Sequence, residues 1–440
     1  MKMHTSASIP EMYDHVIDDG RLQFIEKLGE GAYGVVYRAV DLDSPTSSRC
    51  PDPKQYAIKV MMKAQPRTRQ QRFQRGEIAA HRRVSAYPNI LTLHKVIEDS
   101  AYIYLVMDYC PGGDLFHHIT ERKTYGGSTN LVKNVFVQIL DAVRACHEQG
   151  IAHRDIKPDN ILCMNESGSR VVLADFGLST SSERSSTFGC GSSFYTSPET
   201  SGIDFGYKPY DAKVADVWSL GVLLVNMIAG RNPWTSATIE DQCFLRSMTR
   251  PGYLQKMLPI SDEAVTILQR IFTYDPKMRI TIPELREAIL KVKTFFMTEP
   301  QLAKGHRFAQ IAARTYFQKY YSLTEEDYRE MNALEEAEFG RRENLVEALV
   351  VESPTNHFRL VDCVGSTGMP SMTNSDSDSD AESIGPVTPV RNAVEVEALA
   401  EVPPLKDGED MGVPVVPTVV KKRRDRPFES LVHLMERFAL

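Results

Sequence analysis

Cysteine is sparse and unpatterned in this chain: seven residues (Cys50, Cys110, Cys146, Cys163, Cys190, Cys243 and Cys363), an odd number, with no CxxC pair to nucleate a zinc site or a redox dithiol. A reducing compartment fits that usage. Basic charge is not in excess either. Lys+Arg is 51 against 58 Asp+Glu, a formal net charge of −7, which disfavours a globally basic binder, so no nucleic-acid partner is expected. The opening MKMHTSASIPEMYD lacks the apolar core of a signal peptide. The longest greasy stretch, Val217 to Gly230, is interrupted by Ser219 and Asn226 and falls short of the ~20 residues of a membrane span. Cytoplasm, nucleus or both is the expected location, with no transmembrane segment. What is present, 42% apolar and 25% charged residues over 440 positions, suffices for ordinary cores and excludes a wholly disordered or fibrous chain.

Two patterns divide the chain. From about 22 to 107 short apolar runs (Gly34 to Val40, Gln55 to Met61, Ala101 to Met107) lie between Gly, Pro, Asp and Ser, which predicts a small sheet. A single helix is expected at Arg69 to Ser85. From about 130 the spacing turns helical: Leu131, Val132, Val135, Phe136, Ile139, Leu140 and Val143 share one face. Helices are also expected at Lys213 to Ile228, Asp262 to Phe272, Ile282 to Lys293 and Thr324 to Phe339. Between 352 and 420 Ser, Pro, Asp, Glu and Val dominate, including SDSDSDAES at 375–383, which reads as a disordered acidic tail.

Four clusters carry chemistry. LGEGAYGVV at 28–36 is a GxGxxG whose glycines (Gly29, Gly31, Gly34) let backbone amides approach phosphate oxygens. A dinucleotide-binding fingerprint would open a helix after Gly34. Here Val35, Val36 and Tyr37 favour a strand, so the segment is expected to be a strand-turn-strand flap, and an oxidoreductase reading fails. In YAIKV at 56–60, Lys59 stands in an apolar strand and needs an anion, supplied by Glu77 or a nucleotide phosphate. HRDIKPDN at 153–160 gathers a base (Asp155), a phosphate-directed cation (Lys157) and a metal-binding amide (Asn160). DFG at 175–177 adds a carboxylate, Asp175, completing hard-oxygen donors of the kind Mg²⁺ prefers.

These residues, with SPE at 197–199, DVWSLG at 216–221 and Arg279, resemble the eukaryotic protein kinase family, serine/threonine class, over about 22–297. The resemblance implies an α+β, bilobal fold: a small antiparallel N-lobe sheet with helix C (22–107), a hinge (108–111) and a mainly helical C-lobe (112–297). Outside it stand an N-terminal extension (1–21), a helical extension (298–351), the acidic tail (352–420) and a basic patch with an amphipathic helix (421–440). It further implies that Lys59 contacts the α/β-phosphates of ATP and pairs with Glu77, and that Asp155 orients the substrate hydroxyl. Lys157 would offset phosphoryl charge, and Asn160 and Asp175 would hold Mg²⁺. The flap Leu28, Gly29, Glu30, Gly31, Ala32, Tyr33, Gly34, Val35 and Val36 would cover the nucleotide. Ala57, Met107, Asp108, Cys110 and Leu162 would surround adenine, and Glu199 would pair with Arg279. A pseudokinase scaffold is the rival reading, and the presence of Lys59, Asp155 and Asp175 together argues against it.

Departures from the pattern give further expectations. His81 stands where the family has an apolar residue stacked with Leu93, His153 and Phe176. In the activation segment Phe188 occupies the usual phosphothreonine position, Ser192 replaces a Thr that contacts the catalytic Asp, and Arg154 is expected to meet a phosphate on Ser185, Ser186 or Thr187. GCGSSFYTSPE at 189–199 is similar to fungal regulatory kinases. Asp114 and Asp159 fall where basophilic relatives hold an Arg three residues before the target, whereas Asn226 replaces the Glu for a second Arg. The last 20 residues offer a docking helix for a partner, with Phe428, Leu431, Val432, Met435 and Phe438 on one face after KKRRDR. Acidity concentrates late: residues 301–440 carry about −8 and the first 300 about +1.

Overall fold

The computed structural model describes residues 9–31, 34–45, 52–317, 329–330 and 333–334. Six strands form the first sheet: β1 (Val16–Ile17), β2 (Leu22–Gly31), β3 (Gly34–Asp41), β4 (Gln55–Met62), β5 (Leu93–Glu98) and β6 (Tyr102–Asp108). They run antiparallel in the order β1-β2-β3-β4-β6-β5. Alternation sorts their side chains onto two faces. Val35, Tyr37, Ala39, Ile58, Val60, Tyr104 and Val106 pack with Phe24 on the outer face. Met61, Ile103, Leu105 and Met107 pack on the inner face with Ile78 of α1 (Arg69–Val84). That helix starts where Thr68 accepts the Gln71 amide at 3.2 Å, and it buries Gln74, Glu77, Ile78, His81 and Val84 at three- and four-residue steps.

Residues 9–21, expected to stand outside the lobe, are part of it. β1 pairs with β2, the Met12 amide donates to the Tyr37 hydroxyl at 3.3 Å, and Met12 and Ile17 join the outer-face core. A two-residue strand and isolated apolar residues leave no period to read, which is why sequence patterning missed them.

The second part holds α2 (Leu115–Thr120), α3 (Thr129–Glu148), the short hairpin β7 (Ile161–Cys163) and β8 (Val171–Leu173), α4 (Pro198–Ser201) and α5 (Ala212–Ala229). It continues with α6 (Gln242–Thr249), α7 (Tyr253–Met257), α8 (Asp262–Ile271), α9 (Ile282–Lys291), α10 (Glu299–Lys304) and α11 (Arg307–Phe317). Helix α5 is apolar enough by length and composition to cross a membrane, but it is wrapped in one large core with α3, α8 and α9. Helix α11 closes onto α5: the Tyr316 hydroxyl donates to the Met227 carbonyl at 2.9 Å. The expected helix over 324–339, the acidic tail, the basic patch and terminal helix, and Ala32, Tyr33, Cys50 and Cys363 lie outside the described residues or almost wholly so.

Candidate active site

The sheet and α1 bring Lys59 to its anions. Its Nζ lies 2.6 Å from Glu77 Oε1 and 3.3 Å from Asp175 Oδ1, although 116 residues separate the latter pair. Burial alone would lower the Lys59 pKa; the facing charges of Asp175 and Glu77 outweigh it and hold the ammonium above its ordinary value. An ammonium this enclosed is a fixed positive charge facing the cleft.

The catalytic-loop candidates assemble around Asp155. Its Oδ2 accepts from Asn160 Nδ2 at 2.8 Å and sits 3.1 Å from Lys157 Nζ. Asn160 spends its other amide hydrogen on the Asp155 carbonyl, also at 2.8 Å. Among the described residues nothing donates to Asp155 Oδ1, which is left as an open acceptor. Beneath this loop lies a residue to which the sequence reading gave no role. Buried Asp216, from DVWSLG, accepts the His153 and Arg154 amides at 2.8 Å each and His147 Nε2 at 2.8 Å. Those bonds hold Arg154 at φ +68, a left-handed backbone that a non-glycine residue keeps only under restraint. The motif was the available signal.

Of the nucleotide-side candidates, Met107, Cys110 and Leu162 share one apolar cluster, and Ala57 pairs with Met107 across β4 and β6. Burial pushes the Cys110 thiol up to about 12, so it remains protonated. Asp108 carries a 2.7 Å bond with His94 Nε2. In the flap, Gly29 faces Val36, Glu30 faces Val35 and Gly31 faces Gly34, so a strand and not a helix follows Gly34, with Leu28 at the exposed margin. Gly34 has to be glycine: φ is +151 and a Cβ would lie 2.2 Å from the Val60 carbonyl oxygen. One assignment is corrected. Val35 belongs to the outer-face core with Tyr37 and Ala39, so only Val36 lies on the cleft side, as strand alternation demands.

His81 and His153 flank Phe176, with ring centroids 4.9 and 5.2 Å away. Leu93 packs with Met61, Ile78 and Leu91. The polar intruder is satisfied: His81 Nε2 donates to the Leu91 carbonyl at 2.7 Å. Burial pushes its pKa from 6.5 to about 4, against the raising effect of that carbonyl. The folded state therefore binds fewer protons than the unfolded state between those values, so this group's contribution falls as pH drops from about 6.5 towards 4. The loss is on the order of 3 kcal/mol. His81→Leu is expected to flatten that part of the stability-against-pH curve relative to wild type in chemical denaturation; parallel curves would refute it.

The activation segment is tied down by its own side chains and backbone. Ser185 is buried and exchanges backbone bonds with Tyr210 at 2.8 and 3.0 Å. Arg154 Nη2 donates to Cys190 Sγ at 2.6 Å, and the Cys190 sulfur is 3.7 Å from the Tyr210 hydroxyl. Phe188 packs edge-on against Tyr207 at 5.4 Å and tilted against Tyr210 at 5.8 Å, an apolar anchor for the segment. Ser186 is exposed and Thr187 half-buried. Gly191 (φ +89) lets the chain pass Arg154, since a Cβ would sit 2.8 Å from its carbonyl oxygen. Ser192 lines the same small cavity as Asp155, yet its hydroxyl makes no hydrogen bond to that carboxylate. Glu199 and Arg279 meet in a bidentate pair at 2.5 and 3.0 Å.

A fold of sheet lobe, hinge and helical lobe, with these groups at the seam, is that of the protein kinase type. The protein kinase domain matches residues 22–289, and the chain belongs to that family. It is 41% identical over 303 residues to the Schizosaccharomyces pombe protein named Negative regulator of sexual conjugation and meiosis, covering 64% of this chain and 63% of that protein. Serine/threonine-protein kinase VHS1 of Saccharomyces cerevisiae is 32% identical over 342 residues, 63% of this chain and 71% of its own length. Serine/threonine-protein kinase ksp1 of Schizosaccharomyces pombe is 34% identical over 283 residues, 62% and 57%. The chain thus spans between 57% and 71% of the length of these relatives, and the fungal resemblance carried by 189–199 agrees with them.

Proposed function

We propose that the chain is an active enzyme that transfers the γ-phosphoryl group of ATP to Ser and Thr hydroxyls of regulatory protein substrates. The observation that carries this reading is the closed Lys59–Glu77 pair with Asp175 on the same ammonium, a preformed cation for the phosphates. The substrate hydroxyl donates to Asp155 Oδ1. As its oxygen bonds to the γ-phosphorus, its proton passes to Asp155 and the bond to the β-phosphate oxygen breaks, leaving ADP. Lys157 offsets charge on the transferred group. The donor set fits Mg²⁺: among the described residues there is no cluster of three His, Cys, Asp or Glu to cage a metal, and Mg²⁺ takes one or two protein oxygens, here Asn160 Oδ1 and Asp175, beside phosphates and water. When bound, that ion supplies neutralisation of phosphate charge.

For substrate choice, we read Asp114 and Asp159 as the seat of an arginine three residues before the acceptor. Burial, and then the Asp159 charge, lift the Asp114 carboxyl above its usual range, an unfavourable arrangement that a guanidinium between the two would relieve. Asn226 is fully buried and committed, accepting from the Tyr195 hydroxyl and donating to Arg231 and Asn232, all within 2.9 Å, which argues against a second arginine subsite. The test is incorporation of γ-phosphate from Mg-ATP into a degenerate Ser/Thr peptide library, with Asp155→Asn as the inactive control. Incorporation no higher than the control would overturn the activity. In the same assay Asp114→Asn with Asp159→Asn is expected to lower kcat/KM for the arginine peptide about 30-fold, as for the loss of a charge-assisted contact, with little change for a peptide lacking arginine. An equal loss for both peptides would refute the subsite.

A further inference from the structure

The outward face of α1 is a surface that phosphoryl transfer does not use. Between Lys63 and Arg83 the sole acidic residue is Glu77, buried against Lys59, while Arg67, Arg69, Arg72, Arg75, Arg82 and Arg83 are exposed. Arg69 lies over the half-exposed Phe73 ring at 5.3 Å. Among the described residues Arg67, Arg72, Arg75, Arg82 and Arg83 have no carboxylate partner, although acidic residues outnumber basic ones in the whole chain. Helical spacing puts Arg72, Arg75, Arg82 and Arg83 on one side, two per end, with only Gly76 and Ala79 between them. Arg82 and Arg83, in the last turn, suit the helix dipole, but the N-terminal end of the arrangement opposes it. No acidic residue stands in the first turn, where the macrodipole favours anions, and arginines three and seven residues apart repel.

We propose that this face is the docking surface for the chain's own acidic run at 375–383, which carries Asp376, Asp378, Asp380 and Glu382. Three observations select that occupant. It is the alternating Asp-Ser sequence of a chain whose acidity lies beyond residue 300. Its length suffices: in extended form Asp376 to Glu382 spans about 20 Å, enough to cover the roughly 15 Å from Arg72 to Arg82 along the helix. It also reaches. Glu330, which receives Arg307 at 2.6 Å, is separated from Ser375 by 44 residues, up to about 145 Å of chain, against a radius of gyration near 19 Å for a folded unit of this size.

The test reads binding, so its failure is distinct from failure of the kinase reading. A fluorescent peptide of residues 372–384 is titrated into the full chain and into a full-chain variant with Asp376→Asn, Asp378→Asn, Asp380→Asn and Glu382→Gln. The neutralised variant is expected to bind the peptide about tenfold or more tightly than wild type, where the tethered run competes at high effective concentration. Binding should weaken as salt rises. Adding Arg72→Gln, Arg75→Gln, Arg82→Gln and Arg83→Gln should abolish it, and lysine at the four positions should retain it, which separates charge from folding. The proposal is overturned by equal peptide binding to wild type and neutralised chain, or by binding indifferent to the four arginines, as when KKRRDR takes the run instead. It is equally overturned if an RNA oligonucleotide or phosphatidylserine vesicles bind the arginine face of wild type as tightly as that of the neutralised chain, because the face would then be uncovered.

Discussion

Asp155→Asn is expected to lower kcat for peptide phosphorylation by about 10²–10⁴-fold while leaving the affinity for ATP within about threefold. The substitution keeps shape and volume, so the loss has to come from protons. In the native chain Oδ2 is occupied by Asn160 Nδ2 at 2.8 Å and by Lys157 Nζ at 3.1 Å, both donors. An amide placed there has to turn its oxygen towards those two donors, because its own NH₂ would meet them donor to donor. The NH₂ is thereby left in the position of Oδ1, where the substrate hydroxyl must be accepted. The nucleophile then meets a donor that takes no proton and repels its own. Lys59, Glu77 and Asp175 are untouched, which is why nucleotide binding survives. Steady-state kinetics with a fluorescent ATP titration decide the matter; turnover within tenfold of wild type would remove Asp155 from its assigned role.

The same cluster illustrates what sequence can and cannot deliver. Lys59 and Glu77 lie 18 residues apart on a strand and the next helix, each period was readable, and their meeting at 2.6 Å follows from packing one amphipathic element on another. Helix α1, expected over Arg69 to Ser85, ends at Val84, because a composition rich in Glu, Gln, Arg and Ala is a local signal. Local signals fail where the determinant is remote. The three-residue strands β7 and β8 are too short for any period, and their antiparallel pairing with each other defines them. Val35 was grouped with its neighbour Val36 as a nucleotide contact, although alternation sends the two to opposite faces of β3. The meeting of Arg154 with Cys190 joins positions 36 apart, neither of which lies in a helix or strand. Its only trace in the sequence is the pair of glycines around Cys190, both at positive φ, which mark a path that a side chain would obstruct without saying what lies beside it. Asp216 was visible as part of DVWSLG, but its three bonds are a property of the assembled loop.

Arg279→Ala is expected to destabilise the helical lobe by about 3–5 kcal/mol, seen as a fall of roughly 10 °C in the lobe's thermal midpoint. The Arg279 side chain is fully enclosed, its guanidinium forks onto both oxygens of Glu199, and Nη1 also donates to the Val214 carbonyl at 3.0 Å with the plane 5.0 Å from the Trp218 ring. Truncation removes all of these at once and leaves the Glu199 carboxylate, 2% exposed, with neither water nor a cation. Most of the expected loss is that orphaned charge rather than the worth of the pair, and the two can be separated. Arg279→Met combined with Glu199→Leu removes both charges at similar volume and is expected to recover most of the stability, because the double variant buries no unpaired charge. Arg279→Lys should fall between, keeping the charge but losing the fork and the flat face towards Trp218. Because Glu199 sits in the first turn of α4, capped by Ser197 at the end of the activation segment, the Ala variant should also raise KM for protein substrate before it unfolds. A single variant within 1 kcal/mol of wild type, about the ceiling for an exposed pair, or a double variant as unstable as the Ala variant, would show that this pair is not the strut fixing the segment to the lobe.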